Sequence, residues 1–326
     1  MKNIIIKNLD KITDIQSYLE KLNTKKNLNK RFFIEYQNNL FKESNWLDKN
    51  DIKNLLTLSG YQFIAIKKDW IIARIKTVGL NKLSVSIVIP ARNEARNIPG
   101  IIKSIPYFGK SQEIIFVEGG SKDDTWLKIQ AEIKTNKIKA RKVIALKQPD
   151  LGKANAVRLG FRKSTADILI IYDADRTVDP KDIIKFYNIL VSGEAEFANG
   201  SRLVYPMEKD AMQMLNKIAN KIFGLFFTKV FGQIFKDTLC GTKALFKKDY
   251  NTFKYFKDDP FGDFELIFGA IQNNLKVIEI PIRYKERIYG MTNIKRFHHG
   301  LLLFKIMLIA VWKFSLKKLF LPTELR

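Results

Sequence analysis

The segment Asp173-Ala174-Asp175 follows the apolar run Ile168-Leu169-Ile170-Ile171-Tyr172, which reads as a buried strand. Carboxylates two residues apart in extended backbone project the same way and form a hard-oxygen site suited to Mg2+ or Mn2+. Such an ion keeps positions open for substrate phosphates, and by bridging a diphosphate it stabilises the charge that develops as a nucleoside diphosphate departs. An aspartate capping the next helix, beside a second aspartate in solvent, accounts equally well for this pair taken alone. The pattern gains weight by recurring. Pro90-Ala91-Arg92-Asn93-Glu94 follows one apolar run, and Glu118-Gly119-Gly120-Ser121-Lys122-Asp123-Asp124 follows another. Carboxylates at three such exits exceed what loop polarity requires.

The elements that must position these residues are short apolar runs alternating with helical stretches. Strands are predicted at Val85–Ile89, Ile114–Val117, Val143–Leu146, Ile168–Tyr172 and Phe197–Ala198, and helices at Ala95–Ser104, Thr125–Ile133, Lys153–Phe161 and Asp182–Leu190. Continuously apolar strands separated by helices specify an α/β domain whose mostly parallel sheet is covered on both faces. In such sheets ligands bind beyond the carboxyl ends of the strands, where all three acidic loops fall.

Composition sets the outer limits. The 326 residues, 46% of them hydrophobic, can bury one large or two ordinary cores, which argues against intrinsic disorder. The single cysteine, Cys240, excludes an intramolecular disulfide framework and Cys-clustered metal sites. A net charge of +24 points to an anionic partner, whether nucleic acid, a membrane surface or a phosphorylated substrate, although part of the Lys, Asn and Ile excess reads as compositional bias. The opening MKNIIIKNLDKITD is too briefly apolar to read as a secretory signal. Residues 1–82 carry helical periodicity at Ile52, Leu55, Leu56 and Leu58, then a strand-like pair at Tyr61–Ile66 and Trp70–Ile75. No paired carboxylate or Gly-rich loop stands out there, so the segment reads as an accessory extension. Asn45-Trp46-Leu47-Asp48 through Gly60-Tyr61 faintly resembles the C-terminal segment of class I methyltransferases, but their Gly-rich loop is missing and no methyl transfer is expected.

Five motifs in order, Ile89-Pro90-Ala91-Arg92-Asn93-Glu94, Val117–Thr125, Gly152-Lys153-Ala154-Asn155-Ala156-Val157-Arg158, Asp173-Ala174-Asp175 and Gly200-Ser201-Arg202, resemble glycosyltransferase family 2. The closer likeness is to its dolichyl- or polyprenyl-phosphate mannosyl- and glucosyltransferase branch, from about Ser84 to the C-terminus. The resemblance implies a GT-A fold, a nucleotide-sugar donor of the GDP-mannose or UDP-hexose type, Mg2+ or Mn2+, and inversion at the anomeric carbon. It places Pro90, Arg92, Glu94 and Glu118 around the base and ribose, and Asp173, Ala174 and Asp175 at the ribose and metal, with Asp175 the principal metal ligand. Lys153 and Arg202 are implied to face the diphosphate. The chain departs from the family in having Glu118-Gly119 where two adjacent aspartates are frequent, and Arg176-Thr177 where Leu-Gln often follows.

In the second half, Asp237-Thr238-Leu239-Cys240-Gly241-Thr242-Lys243 resembles the acceptor-side turn of the family, with Cys240 read as packing. Phe261-Gly262-Asp263-Phe264-Glu265-Leu266 supplies Asp263 or Glu265 as the base for a hydroxyl acceptor. If the acceptor is an already ionised lipid phosphate, these carboxylates need only orient Arg or Lys partners, and plain helix capping is the structural reading. The stretch Arg283–Arg287 with Gly290-Met291-Thr292-Asn293 resembles a loop closing over the diphosphate, Arg287 being the first choice for a phosphate contact and Arg283 the second. His298 and His299 are adjacent, about 100° apart on a helix, and do not chelate one ion.

From Arg283 to Lys318 there are nine Lys or Arg and one acid, Glu286, around the apolar stretch Leu301–Leu316. This reads as an amphipathic helix lying in a membrane interface; its uninterrupted apolar run, Ile306–Trp312, is too short to span. Leu215–Phe235, with Lys217, Lys221 and Lys229, reads either the same way or as a core helix. The expected organisation is an accessory segment over 1–82, a GT-A domain over 83–296 and a basic interface helix over 297–326. The expected protein is an inverting, metal-dependent transferase on the cytoplasmic face of the membrane with a polyprenyl-phosphate acceptor. A soluble glycan or protein acceptor is the alternative. Nucleic acid ranks last, since the strand exits are acidic and the densest basic stretch flanks an apolar helix.

Overall fold

The computed structural model describes residues 3–7, 15–28, 30–35, 49–67, 70–76, 83–204, 214–254, 259, 262–287, 289 and 296–312. Two sheets organise them. The first contains β1 (Asn3–Ile6), β2 (Arg31–Glu35), β3 (Tyr61–Lys67) and β4 (Trp70–Ile75) in the order β1-β2-β4-β3, with α1 (Ile15–Leu22) and α2 (Lys49–Leu58) between strands. β1 runs parallel to β2, and β4 is antiparallel to both β2 and β3. The two-residue alternation of a strand sorts its side chains. Phe32, Ile34, Ile71 and Ala73 join Leu19, Ile52 and Leu56 in one core, whereas Phe33, Trp70 and Ile72 face the other way.

The second sheet has seven strands: β5 (Val85–Ala91), β6 (Gln112–Glu118), β7 (Arg141–Lys147), β8 (Ile168–Ile171), β9 (Phe197–Ser201), β10 (Lys243–Phe246) and β11 (Val277–Pro281), in the order β11-β9-β10-β8-β5-β6-β7. All neighbours are parallel except β10, which runs antiparallel to β8 and β9. Along β5, Val85, Ile87 and Ile89 enter one core with α3 (Ile101–Ser104), α4 (Thr125–Ile133) and α6 (Ile183–Val191). Val88 enters the other, with α5 (Lys153–Lys163), α7 (Met214–Phe231), α9 (Asp263–Gln272) and α10 (Arg296–Ala310). The short α8 (Lys247–Tyr250) continues directly from β10. This is the mostly parallel sheet covered on both faces that the apolar runs predict. Gly160 lets α5 lie on the sheet, because a Cβ there would collide with the Val88 side chain.

The predicted helix Ala95–Ser104 is a correction: residues 95–100 form turns, and only Ile101–Ser104 is helical. Pro99 disfavours helical backbone at Ile98, and Gly100, at φ 78°, starts the short helix from a left-handed conformation. Neither the antiparallel β10 nor β11 is among the predicted strands.

The two sheets meet at the end of the large sheet where β9 and β11 begin, opposite its acidic strand exits. Arg31 Nη2 lies 2.8 Å from Glu196 Oε1, and Arg31 Nε donates to the Asn274 carbonyl at 2.9 Å. Arg74 Nη1 lies 3.6 Å from the same Glu196 oxygen, while Arg74 Nε donates to Gln62 Oε1 at 2.8 Å. Both arginines are buried, so the four-stranded sheet is joined to the seven-stranded one through desolvated charge. Residues 45–48 of the methyltransferase-like stretch lie outside the described residues.

α10 rests on the core through Ile306 and Ala310, which are buried with the α5, α7 and α9 layer. Its outer side exposes Phe304 and Leu308 beside Lys305, and Trp312 just beyond its end is exposed as well. Phe227 and Phe231 of α7 enter the same core, while Ile222 and Leu225 are exposed. Among the described residues no helix is long and apolar enough to cross a membrane. Residues 313–326, part of the expected interface helix, lie outside the description.

Candidate active site

Strands β5, β6 and β8 end side by side, with Ala91 opposite Glu118 and Val88 opposite Ile171. Their exit loops are tied together by hydrogen bonds. The Asn93 N–H donates to Ser121 Oγ at 3.0 Å, and the Lys122 N–H donates to Asn93 Oδ1 at 2.8 Å. The Glu94 N–H donates to Thr125 Oγ1 at 2.8 Å. Asn93 adopts φ 56°, a conformation Asn tolerates better than most residues, and this turns the chain so that Glu94 follows the strand end. Burial works to raise the Asp123 carboxyl, but bonds from the Thr125 hydroxyl and the N–H groups of Ala95 and Thr125 hold it below the usual range. Asp123 is therefore part of the loop scaffold.

Glu118 is buried and accepts from the Ser121 N–H. The next residue has a steric reason to be glycine: a Cβ at Gly119 would lie 3.0 Å from Gln148 Nε2 and 3.3 Å from the Arg92 Cβ. A second acidic side chain at that position requires Gln148 and Arg92 to move. Pro90 is half-buried and Arg92 exposed at the same loop.

At the third exit the backbone leaves β8 after Ile171 and turns through Ala174 and Asp175, with Arg176 at φ 56°. The two carboxylates are therefore not aligned by a strand repeat, as extended backbone would predict. Ala174 is buried. Asp173 Oδ1 meets Lys153 Nζ at 2.6 Å, whereas Asp175 Oδ2 meets Arg287 Nη2 at 2.7 Å. Asp175 Oδ1 also accepts from the Thr177 N–H and hydroxyl, at 3.1 and 2.9 Å, which fixes its rotamer. Arg287 reaches further, its Nη1 lying 3.8 Å from Glu94 Oε1. Burial pushes the Glu94 carboxyl up, only partly offset by a bond from Asn97 and the charge of Arg287. Burial opposes the positive charge of Lys153, but Asp173 and then Asp263 overcome it and raise its pKa.

Lys153 opens α5 immediately after Gly152, which takes φ 102°. Gly241 packs against the Lys153–Asp173 pair so closely that a Cβ would overlap both charged groups. Asp263 and Glu265 come to this region in α9, and each carries a cation. Asp263 Oδ1 lies 2.7 Å from the fully buried Lys243 Nζ, and Glu265 Oε2 accepts from Arg158 Nε at 2.9 Å. Asp259 Oδ2 caps this helix by accepting from the Glu265 N–H at 2.8 Å. Arg202 is held away from the cluster by Asp237, its Nε and Nη2 donating to the two carboxylate oxygens at 2.7 and 2.8 Å. Its guanidinium also lies 5.2 Å from the centre of the Tyr284 ring. Cys240 is buried, and burial followed by the Asp237 charge pushes its thiol up to about 12, which leaves it an unreactive packing group. Arg283 is bound to Asp182 at 2.9 Å. Residues 290–293 and the side chains of His298 and His299 lie outside the described residues.

The structure thus brings Glu94, Lys153, Asp173, Asp175, Asp263 and Arg287 into one acid–base cluster. Glu118 and Arg202 take part in neighbouring scaffolds. Lys243 and Arg158 lie within the family-like motifs, and the fold gives each a carboxylate partner. Nothing in the spacing of Arg158 and Glu265, 107 positions apart, could have paired them. Among the described residues no three His, Cys, Asp or Glu side chains gather into a metal cage. Asp173 and Asp175, both partly exposed on one turn, offer hard oxygen donors of the kind that Mg2+ or Mn2+ takes.

The family model described as Glycosyl transferase family 2 matches residues 86–253. The chain is 27% identical over 232 residues to the UDP-N-acetylglucosamine–dolichyl-phosphate N-acetylglucosaminyltransferase of Methanococcus voltae, a match covering 64% of this chain and 88% of that one. It is 26% identical over 220 residues to the dolichol-phosphate mannosyltransferase of Pyrococcus furiosus, covering 65% of this chain and 60% of that one. Among solved structures, glucosyl-3-phosphoglycerate synthase from Mycobacterium tuberculosis, in complex with Mn2+, UDP-glucose and glycerol 3-phosphate, superposes with a TM-score of 0.51. That likeness covers 72% of this chain and 80% of the other at 17% identity, and it concerns the fold. With the ordered motifs, the GT-A sheet and the clustered strand exits, the chain is a glycosyltransferase belonging to family 2.

Proposed function

We propose that the protein transfers a sugar, with inversion, from a GDP-mannose- or UDP-hexose-type donor to a polyprenyl-phosphate acceptor, and that transfer depends on Mg2+ or Mn2+. The observation that carries this reading is the Asp173–Asp175 turn facing Lys153 and Arg287 at the strand exits. Asp173 and Asp175 would hold the ion, which when bound neutralises charge developing on the leaving diphosphate. Lys153 and Arg287 supply fixed positive charge for the same leaving group. Pro90, Arg92, Glu94, Glu118 and Ala174 line the nucleoside side of the donor, and Arg202 braces its acceptor-side wall through Asp237.

The pairing of Asp263 with Lys243 and of Glu265 with Arg158 favours a phosphate acceptor. Each carboxylate is taken up in an ion pair and so orients a cation, while an ionised phosphate oxygen has no proton to remove. Both named relatives above act, by their names, on dolichyl or dolichol phosphate. Phe304 and Leu308 on the outer side of α10, and Trp312 just beyond its end, recur every four residues next to Lys305 and suit peripheral docking on the cytoplasmic face of the membrane.

The test is transfer of radiolabelled sugar from GDP- and UDP-sugars to polyprenyl phosphate in Mn2+. Loss of product with Asp175→Ala and with excess chelator supports the proposal. Full activity in chelator overturns the metal dependence, and transfer to water-soluble glycans alone overturns the acceptor.

A further inference from the structure

We propose that Arg287 is a stand-in cation: it holds Asp175 and Glu94 while the donor is away and must release them before a divalent ion can be bound. This rests on the metal-dependent reading above and adds an order of events to it.

The argument begins with charge. Asp173, Asp175 and Glu94 contribute three negative charges at the strand exits, and Lys153 and Arg287 contribute two positive ones. The donor-free cluster therefore carries a net charge of about −1, with each aspartate already matched to its own cation. A divalent ion entering alone would bring this half-buried cluster to about +1, beside the guanidinium it displaces from Asp175. An ion entering with a doubly charged diphosphate leaves the cluster at about −1 and gives the released guanidinium a phosphate to bind. Arg287 thus penalises metal binding in the absence of nucleotide and rewards it in its presence.

Geometry makes Arg287 the cation that moves. Asp175 is fixed by two bonds from Thr177, so its free oxygen, Oδ2, is the one Arg287 covers at 2.7 Å. Lys153 is set at the start of α5 and packed beneath Gly241. Arg287 instead lies beyond the β11 strand, in the segment joined to the rest of the domain by the Val178–Tyr284 bridge and the Lys285 N–H bond to the Thr177 carbonyl. Its contact with Glu94, at 3.8 Å, spans from the third strand exit to the first. Occupancy of the metal position is thereby coupled to the loop that lines the nucleoside.

The experiment is titration of Mn2+ into the full-length protein, with free ion read by electron paramagnetic resonance, with and without UDP or GDP. Arg287→Gln is compared with the wild type and with Arg283→Gln, which removes a charge four residues away that is paired to Asp182. Circular dichroism melts establish that each variant is folded. Arg287→Gln should bind Mn2+ alone about two- to fivefold more tightly than the wild type, the scale of one partly exposed ion pair. Arg283→Gln should match the wild type. Nucleoside diphosphate should then enhance Mn2+ binding less in Arg287→Gln than in the wild type. Equal Mn2+ affinity of wild type and Arg287→Gln overturns the stand-in role while leaving metal-dependent transfer intact. Absence of Mn2+ binding in every variant, with or without nucleotide, overturns the metal-dependent reading itself.

Discussion

Asp237 offers a direct measure of how the wall beside the site is held. Its side chain is fully buried and accepts five hydrogen bonds, from Nε and Nη2 of Arg202, the backbone N–H of Arg202, the N–H of Leu239 and Asn220 Nδ2. Burial raises its pKa, but Arg202 beside it and the surrounding donors win, and the carboxyl is held below the usual carboxylate range. Asp237→Asn keeps the shape, removes the charge and turns an N–H2 group toward a guanidinium or an amide that also donates. Bonds to a charged acceptor are worth about 1.5–3 kcal/mol each, and stripping one partner from a buried pair costs about 3–5 kcal/mol. For a domain of this size that lowers the Tm by roughly 8–16 °C, read by differential scanning fluorimetry. The loss should be constant between about pH 5 and 8. It should shrink as the pH falls below about 4, because a depressed carboxyl contributes stability only above its unfolded pKa. A cycle with Arg202→Met should give a coupling of at least about 2 kcal/mol. Coupling under about 0.5 kcal/mol would sink the claim that this pair braces the wall and would reduce it to a surface-type contact.

Two further outcomes follow from single positions. Gly241→Ala should reduce transfer by about 100-fold, because the added Cβ displaces both the Lys153 ammonium and the Asp173 carboxylate; an unaltered rate would show that the Lys153–Asp173 contact is not used. Asp249 is buried, its Oδ2 has no hydrogen-bond partner among the described residues, and burial, then the charge of Glu196, pushes its carboxyl up to about 6. Its folded pKa lies above the unfolded one, so the native state binds the extra proton and stability falls as the pH rises from about 4 to 6. Asp249→Asn should therefore stabilise by about 1–3 kcal/mol at pH 7.5 and have little effect below pH 4, as thermal melts at the two pH values would show.

The sequence by itself determined the class of sheet and the identity of the acidic exits. Apolar runs such as Ile168–Ile171 are continuous because both faces are covered, and turn chemistry after them is local, so Glu94, Glu118, Asp173 and Asp175 could be placed from spacing alone. The helix expected over 95–104 forms only at Ile101–Ser104, because its apolar spacing is helical while Pro99 and Gly100, also local, forbid most of it. What only the tertiary structure decided was which charge meets which. Arg287 on Asp175, Arg158 on Glu265, Lys243 on Asp263 and Arg74 on Glu196 join residues brought together by strand order and by β10 running against its neighbours. A side chain's charge is encoded by its residue type, but its partner depends on distances across the fold. Pairing therefore tells Asp263, held by the fully buried Lys243, from Asp175, held by the partly exposed Arg287, a distinction that no spacing in the chain contains.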